Sequence, residues 1–112
     1  MNRNRITNIP IVTLCGSGKF YETFKKVELE LTLKGYMVLI PSIFNHPNFF
    51  DPDKFELSTD DEKLYDEIHK QKILLSKFVV VIDVDGYIGT DTKKEIDFCK
   101  MIDTPVISYR DI

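Results

Sequence analysis

Apolar positions change their period along the chain, and each change marks an element. Residues 9–15, Ile-Pro-Ile-Val-Thr-Leu-Cys, are short, apolar and rich in β-branched side chains, and they end at Gly16-Ser17-Gly18. That pattern predicts a buried strand running into a tight turn. Phe20, Phe24, Val27 and Leu31 then recur at helical spacing, polar residues fill much of the rest, and Gly35 stands where a helix would stop. Residues 36–40 predict a second strand, closed by Pro41. A second helix is expected from Thr59 to about Ser76. Thr59 and Glu62 have capping-box spacing, and Leu64, Ile68 and Leu75 form its inner face. Residues 78–82, Phe-Val-Val-Val-Ile, form the strongest strand, apolar throughout as a strand covered on both faces must be. A loop over 83–90 leads to a third helix near 92–102, with Ile96, Cys99 and Ile102 inward, and residues 104–109 close the pattern as a last strand.

Between Pro41 and Leu57 the periodicity is lost. This stretch carries Pro41, Pro47, Pro52, His46, Phe44, Phe49, Phe50 and Phe55, which suits either a loop covering the sheet end or a loop contacting a ligand or partner. Strands alternating with helices give a mainly parallel four-stranded sheet with helices on both faces, a three-layer α/β domain. Right-handed crossovers favour the strand order 2-1-3-4. Ligands of such sheets bind at the carboxyl ends of the strands, where the winding reverses. Two loops leave those ends side by side, one at residues 15–18 and one at 83–92.

With 112 residues the chain is expected to form a single domain, residues 1–112. Hydrophobic residues make up 43% and charged residues 29%, a globular composition. A net charge of −3 argues against a face for duplex nucleic acid. No apolar run is long enough for a membrane helix, and no signal peptide is evident, so a cytoplasmic location is the default expectation. Cys15 and Cys99 fit neither a disulfide framework nor a metal-binding pair. His46 and His69 have no ligand spacing to each other, so no metal site and no cofactor are expected.

The candidate chemistry lies in the two loops. Gly16 and Gly18 allow sharp turning and close approach, and Ser17 can offer a hydroxyl to an anion at the helix start or simply cap it. Gly86, Tyr87, Gly89 and Thr90 precede a helix, which suits phosphate or ribose hydroxyls. Glu95 sits in the first turn of that helix. A carboxylate there can attack a sugar's anomeric carbon or hold its hydroxyls, but Thr92-x-x-Glu95 also has capping-box spacing. Asp83 ends the strongest strand and can bind ribose, a metal or a reacting proton, or be a turn residue; for Asp85 the turn explanation is stronger. Lys72 is nearly in line with Ile68 and Leu75. It either snorkels outward or meets Glu95 or a ligand phosphate. Cys15 reads as a small buried residue rather than a nucleophile, since no base is identifiable near it. Tyr21, Phe44, His46 and Tyr87 are candidates for stacking on a base.

Three segments carry a resemblance: the first strand ending in Cys15-Gly16-Ser17; the run from Ile73 through Ser76 into Phe78 and Asp83; and Gly89-Thr90 followed by Glu95-Ile96, ahead of Pro105-Val106. Over about residues 10–109 the chain resembles the nucleoside 2-deoxyribosyltransferase-like superfamily, which includes 2'-deoxynucleoside 5'-phosphate N-hydrolases. The resemblance implies a small Rossmann/flavodoxin-like domain, a nucleoside or nucleotide ligand, and a homodimer or higher homo-oligomer. It implies Glu95 as the nucleophile that displaces the base, with water or a second base resolving the glycosyl-enzyme, as in a retaining glycosidase. Cys15, Gly16, Ser17, Lys72, Asp83, Gly86, Tyr87, Gly89 and Thr90 are the expected substrate-binding residues. The family's usual aspartate on the helix before the third strand is missing. Residues 69–75 hold no acid, and Asp66 and Glu67 come too early. A domain of this fold that binds nucleotides without catalysis is the alternative expectation.

Overall fold

A computed structural model describes residues 8–41 and 58–112. The 42–57 stretch, with Phe44, His46 and the other aromatics of the expected loop, lies outside the described residues. Four strands, β1 (Ile11–Gly16), β2 (Met37–Leu39), β3 (Phe78–Ile82) and β4 (Val106–Ser108), alternate with helices α1 (Tyr21–Leu33), α2 (Thr59–Leu74) and α3 (Thr90–Met101). The strands form one sheet in the order β2-β1-β3-β4, and every pairing is parallel. This is the expected three-layer α/β architecture of Rossmann/flavodoxin-like type.

The two-residue period of the central strands sorts the core into two faces. Val12 and Leu14 of β1 and Val80 and Ile82 of β3 pack with Phe24, Val27 and Leu31 of α1. Cys15 of β1 and Val79 of β3 point the other way and pack with Ile73 of α2 and Cys99 of α3. The order 2-1-3-4 with right-handed crossovers requires this arrangement: α1 alone on one face, α2 and α3 together on the other. Register places Thr13 opposite Val79 and Cys15 opposite Val81.

Helix ends are set by local chemistry. At the C-terminus of α1, Gly35 takes a left-handed φ of 97°, and Tyr36 N–H donates to the Leu31 carbonyl at 3.1 Å, a Schellman closure. α3 closes the same way. Asp103 has φ 59°, and Thr104 N–H donates to the Cys99 carbonyl at 2.9 Å. α2 starts with a reciprocal capping box between Ser58 and Asp61, one residue ahead of the expected Thr59–Glu62 pair.

The inner face of α2 differs from expectation. Leu64, Ile68 and Leu75 are exposed, while His69 and Ile73 are buried. The helix is turned by about 100°, one residue's rotation. The cause lies beneath it. Thr13 presents a hydroxyl from β1, which donates to the Lys72 carbonyl at 3.0 Å and lies 2.6 Å from Ser76 Oγ. A buried hydroxyl needs such partners, and the Lys72 carbonyl and Ser76, at and just beyond the C-terminal end of α2, supply them.

Candidate functional site

The same registration carries one turn further. α2 runs antiparallel to β1, so two residues up the strand, about 6.6 Å, match three to four residues back along the helix, about 4.5–6 Å. Thr13 meets α2 at Lys72 and Ser76. Cys15 therefore meets it at His69, whose Nε2 lies 3.5 Å from Cys15 Sγ. From α3, Glu95 sits one turn before buried Cys99, so it too is directed inward. Its Oε2 is 3.3 Å from His69 Nε2. Three elements thus bring a thiol, an imidazole and a carboxylate together.

The cluster is deeply set. Cys15 is fully buried and His69 is 4% exposed. Tyr65, one turn before His69, stacks parallel to its ring with centroids 6.3 Å apart. Burial pushes the Cys15 thiol well above its ordinary range, and the adjacent Glu95 carboxylate adds to the effect. Cys99 is pushed up to about 11, again chiefly by burial and then by Glu95. Both thiols are therefore protonated at neutral pH. Thiol and carboxylate both approach the same imidazole nitrogen. A relay, with the acid on one nitrogen and the nucleophile on the other, is not formed. Among the described residues, His69 Nδ1 and Glu95 Oε2 are buried and have no hydrogen-bond partner.

A cavity of about 500 Å³ opens between α2 and α3 beside the cluster. That volume suits a small-molecule ligand. Asp66, His69 and Lys70 line it from α2, and Asp91, Glu95 and Phe98 from α3. Asp66, too early in sequence for the acid expected on this helix, thus lines the same cavity as Glu95.

The remaining expected residues have other surroundings. Lys72 does not meet Glu95. Its ammonium donates to the Ile40 carbonyl at 2.9 Å, and burial lowers its pKa. The position beside Glu95 belongs to His69. Gly16 is pressed against Ile82 and Phe24 on the α1 side of the sheet. Ser17 caps the short 3-10 turn Gly18–Phe20, accepting from Lys19 N–H. The two glycine loops do touch: the Tyr87 ring packs edge-on against Phe20 at 5.8 Å, and Lys19 Nζ lies 3.5 Å from its centre. Gly86, with φ 79°, ends the turn after β3, Gly89 is the N-cap of α3, and exposed Thr90 is its first residue. With the helix starting there, Thr92 lies inside it and Glu95 is no capping-box partner. Asp83 accepts from Ser108 Oγ at 2.6 Å and from Arg110 Nη2 at 2.9 Å, tying the end of β3 to that of β4.

His69 was not singled out as a site residue from sequence. Its signal is indirect: period two puts Thr13 and Cys15 on one face, and the helix covering that face must answer with polar groups. No family model matches the sequence, and a search of curated proteins returns no match either.

Proposed function

We propose that the α2–α3 cavity binds a nucleoside or nucleotide and that Glu95 is the nucleophile which cleaves or transfers its (deoxy)ribosyl group at the N-glycosidic bond. The observation that carries this reading is Glu95 on the wall of a cavity large enough for a nucleoside, with Asp66 lining the same cavity from α2. Glu95 Oε2 is turned toward His69 Nε2, 3.3 Å away, and the residue as a whole lines the cavity, so its carboxylate is within reach of a bound sugar. Attack at the anomeric carbon forms a glycosyl–Glu95 ester, and the base leaves with the electrons of the glycosidic bond and takes up a proton. Water, or a second base, then breaks the ester and regenerates the carboxylate. Asp66 and Asp91 can accept hydrogen bonds from sugar hydroxyls. Phe98 offers a ring face for the base. Exposed Lys70 and Lys94 also line the cavity and can pair with a phosphate.

The test is to incubate the protein with deoxynucleosides and their 5'-monophosphates and to quantify free base by chromatography, with Glu95→Ala in parallel. Release that disappears in Glu95→Ala is expected. Release that persists in the variant, or nucleotide binding without release, would refute Glu95 as nucleophile; the second outcome would leave a nucleotide-binding domain.

A further inference from the structure

The thiol, imidazole and carboxylate of the cluster meet in a way the glycosidic reading does not use. We propose that Cys15, His69 and Glu95 bind a divalent transition-metal ion of the zinc class, with a fourth coordination position facing the α2–α3 cavity.

The spacing is that of a tetrahedral site. Zinc bonds of about 2.0 Å to nitrogen or oxygen and about 2.3 Å to sulfur, at tetrahedral angles, set N–O and N–S edges of roughly 3.3 and 3.5 Å. The cluster shows 3.3 Å from His69 Nε2 to Glu95 Oε2 and 3.5 Å from Nε2 to Cys15 Sγ. All three donor atoms lie within 4.8 Å of one another. The unpartnered Oε2 is one of these donors, and Nε2 is the nitrogen aimed at both the others. Because β1, α2 and α3 each supply one donor, the packed core holds the set in place.

The donor types select the ion. One sulfur, one imidazole and one carboxylate suit zinc or cobalt, whereas calcium and magnesium require oxygen throughout. Three protein ligands beside a cavity match the open arrangement of metal sites that accept an exogenous ligand. His69 and Glu95 line that cavity and Cys15 lies behind them, so the free position faces outward. Binding displaces the Cys15 proton to solvent. His69 Nδ1 lacks the second partner that usually orients a ligating imidazole, at a cost of about 10- to 100-fold in affinity. A bound ion also engages the Glu95 carboxylate, so metal loading and glycosidic turnover exclude each other in one molecule.

The experiment uses the full chain, stripped with a chelator and titrated with Co²⁺ alone. Expected are one Co²⁺ per chain, the intense visible bands of tetrahedral cobalt with a sulfur-to-cobalt charge-transfer band, and loss of both on adding Zn²⁺. Cys15→Ala should abolish the charge-transfer band, Glu95→Gln should weaken binding at least tenfold, and Cys99→Ala should bind as the wild type does. Circular dichroism verifies the fold of each variant. If Cys15→Ala fails to fold, the wild-type charge-transfer band and its retention in Cys99→Ala decide the question. Absence of a tetrahedral spectrum in the wild type, or a charge-transfer band lost in Cys99→Ala instead, would overturn the proposal. No nucleotide enters these measurements, so their failure is separate from failure of base release. Where base release is found, one equivalent of Zn²⁺ should suppress it.

Discussion

Gly16→Ala distinguishes a glycine kept for a ligand from one kept for the core. Gly16 pairs with Ile82 across the centre of the sheet. A β-carbon there would lie 3.0 Å from Ile82 Cβ, 3.0 Å from the Ile82 carbonyl oxygen and 3.1 Å from Phe24 Cζ. Comfortable carbon contacts begin at about 3.5 Å, so all three are compressed. Two belong to the backbone or β-carbon of a central strand, and the third to a fully buried ring; none is a flexible tip that can swing away. Overpacking of this kind costs about 1–3 kcal/mol, and a φ of +156° adds strain of about 1 kcal/mol. The sum is about 3 kcal/mol, against a total stability of roughly 5–15 kcal/mol for a domain of this size. Gly35→Ala is the control. Gly35 has φ 97° but nothing within 4 Å of the new carbon, so only the conformational cost of about 1 kcal/mol applies. Urea unfolding followed by circular dichroism should show a lower midpoint at unchanged slope for both variants, with Gly16→Ala losing about three times as much. A Gly16→Ala protein as stable as Gly35→Ala would refute the packing argument and return Gly16 to a role in ligand approach.

Asp83→Ala should cost about 2 kcal/mol in the same assay, because it removes a charge-assisted hydrogen bond from the half-buried Ser108 hydroxyl. Arg110→Ala should cost under about 1 kcal/mol, since the guanidinium is 55% exposed; equal losses would show that the ion pair and not the Ser108 bond matters. Lys72 supplies a pH test. Its pKa is lowered in the folded state, so between that value and 10.5 the unfolded chain binds more protons and stability rises with pH. Relative to Lys72→Met, the wild type should therefore gain stability as pH climbs from neutral through that window, and a flat or opposite difference would contradict the burial of the ammonium.

The parallel sheet was legible because its signals are local and strong. Residues 78–82 are apolar without interruption, and Gly35 ends a helix in the only way a left-handed position allows cheaply. Crossover handedness left few topologies, and the expected order 2-1-3-4 is the one found. What the sequence concealed was rotation. For α2, hydrophobic periodicity pointed to Leu64, Ile68 and Leu75, yet the buried side is His69 and Ile73. Periodicity assumes that the surface beneath a helix is apolar. Here β1 offers Thr13 and Cys15, and the helix turns until the Thr13 hydroxyl has its partners at Lys72 and Ser76. The decision is made between residues about 60 positions apart, where no window along the chain reaches.

That rotation also determines the site. With Ile68 inward, His69 would have faced away from Cys15 and Glu95, and Glu95 would have stood without an imidazole. Turning α2 by one residue places His69 over Cys15, brings Asp66 to the cavity wall, and removes Lys72 to the Ile40 carbonyl. The three donors of the proposed metal site and the acid pair of the proposed glycosidic site therefore share one structural cause, the Thr13 hydroxyl. Thr13→Val makes the link testable: a branched side chain of similar shape leaves the Lys72 carbonyl and Ser76 without their strand partner. If the registration argument holds, Co²⁺ affinity and any base release should fall together while the sheet persists in far-ultraviolet circular dichroism. Loss of neither in a folded Thr13→Val protein would mean that packing of Ile73 alone sets the rotation of α2.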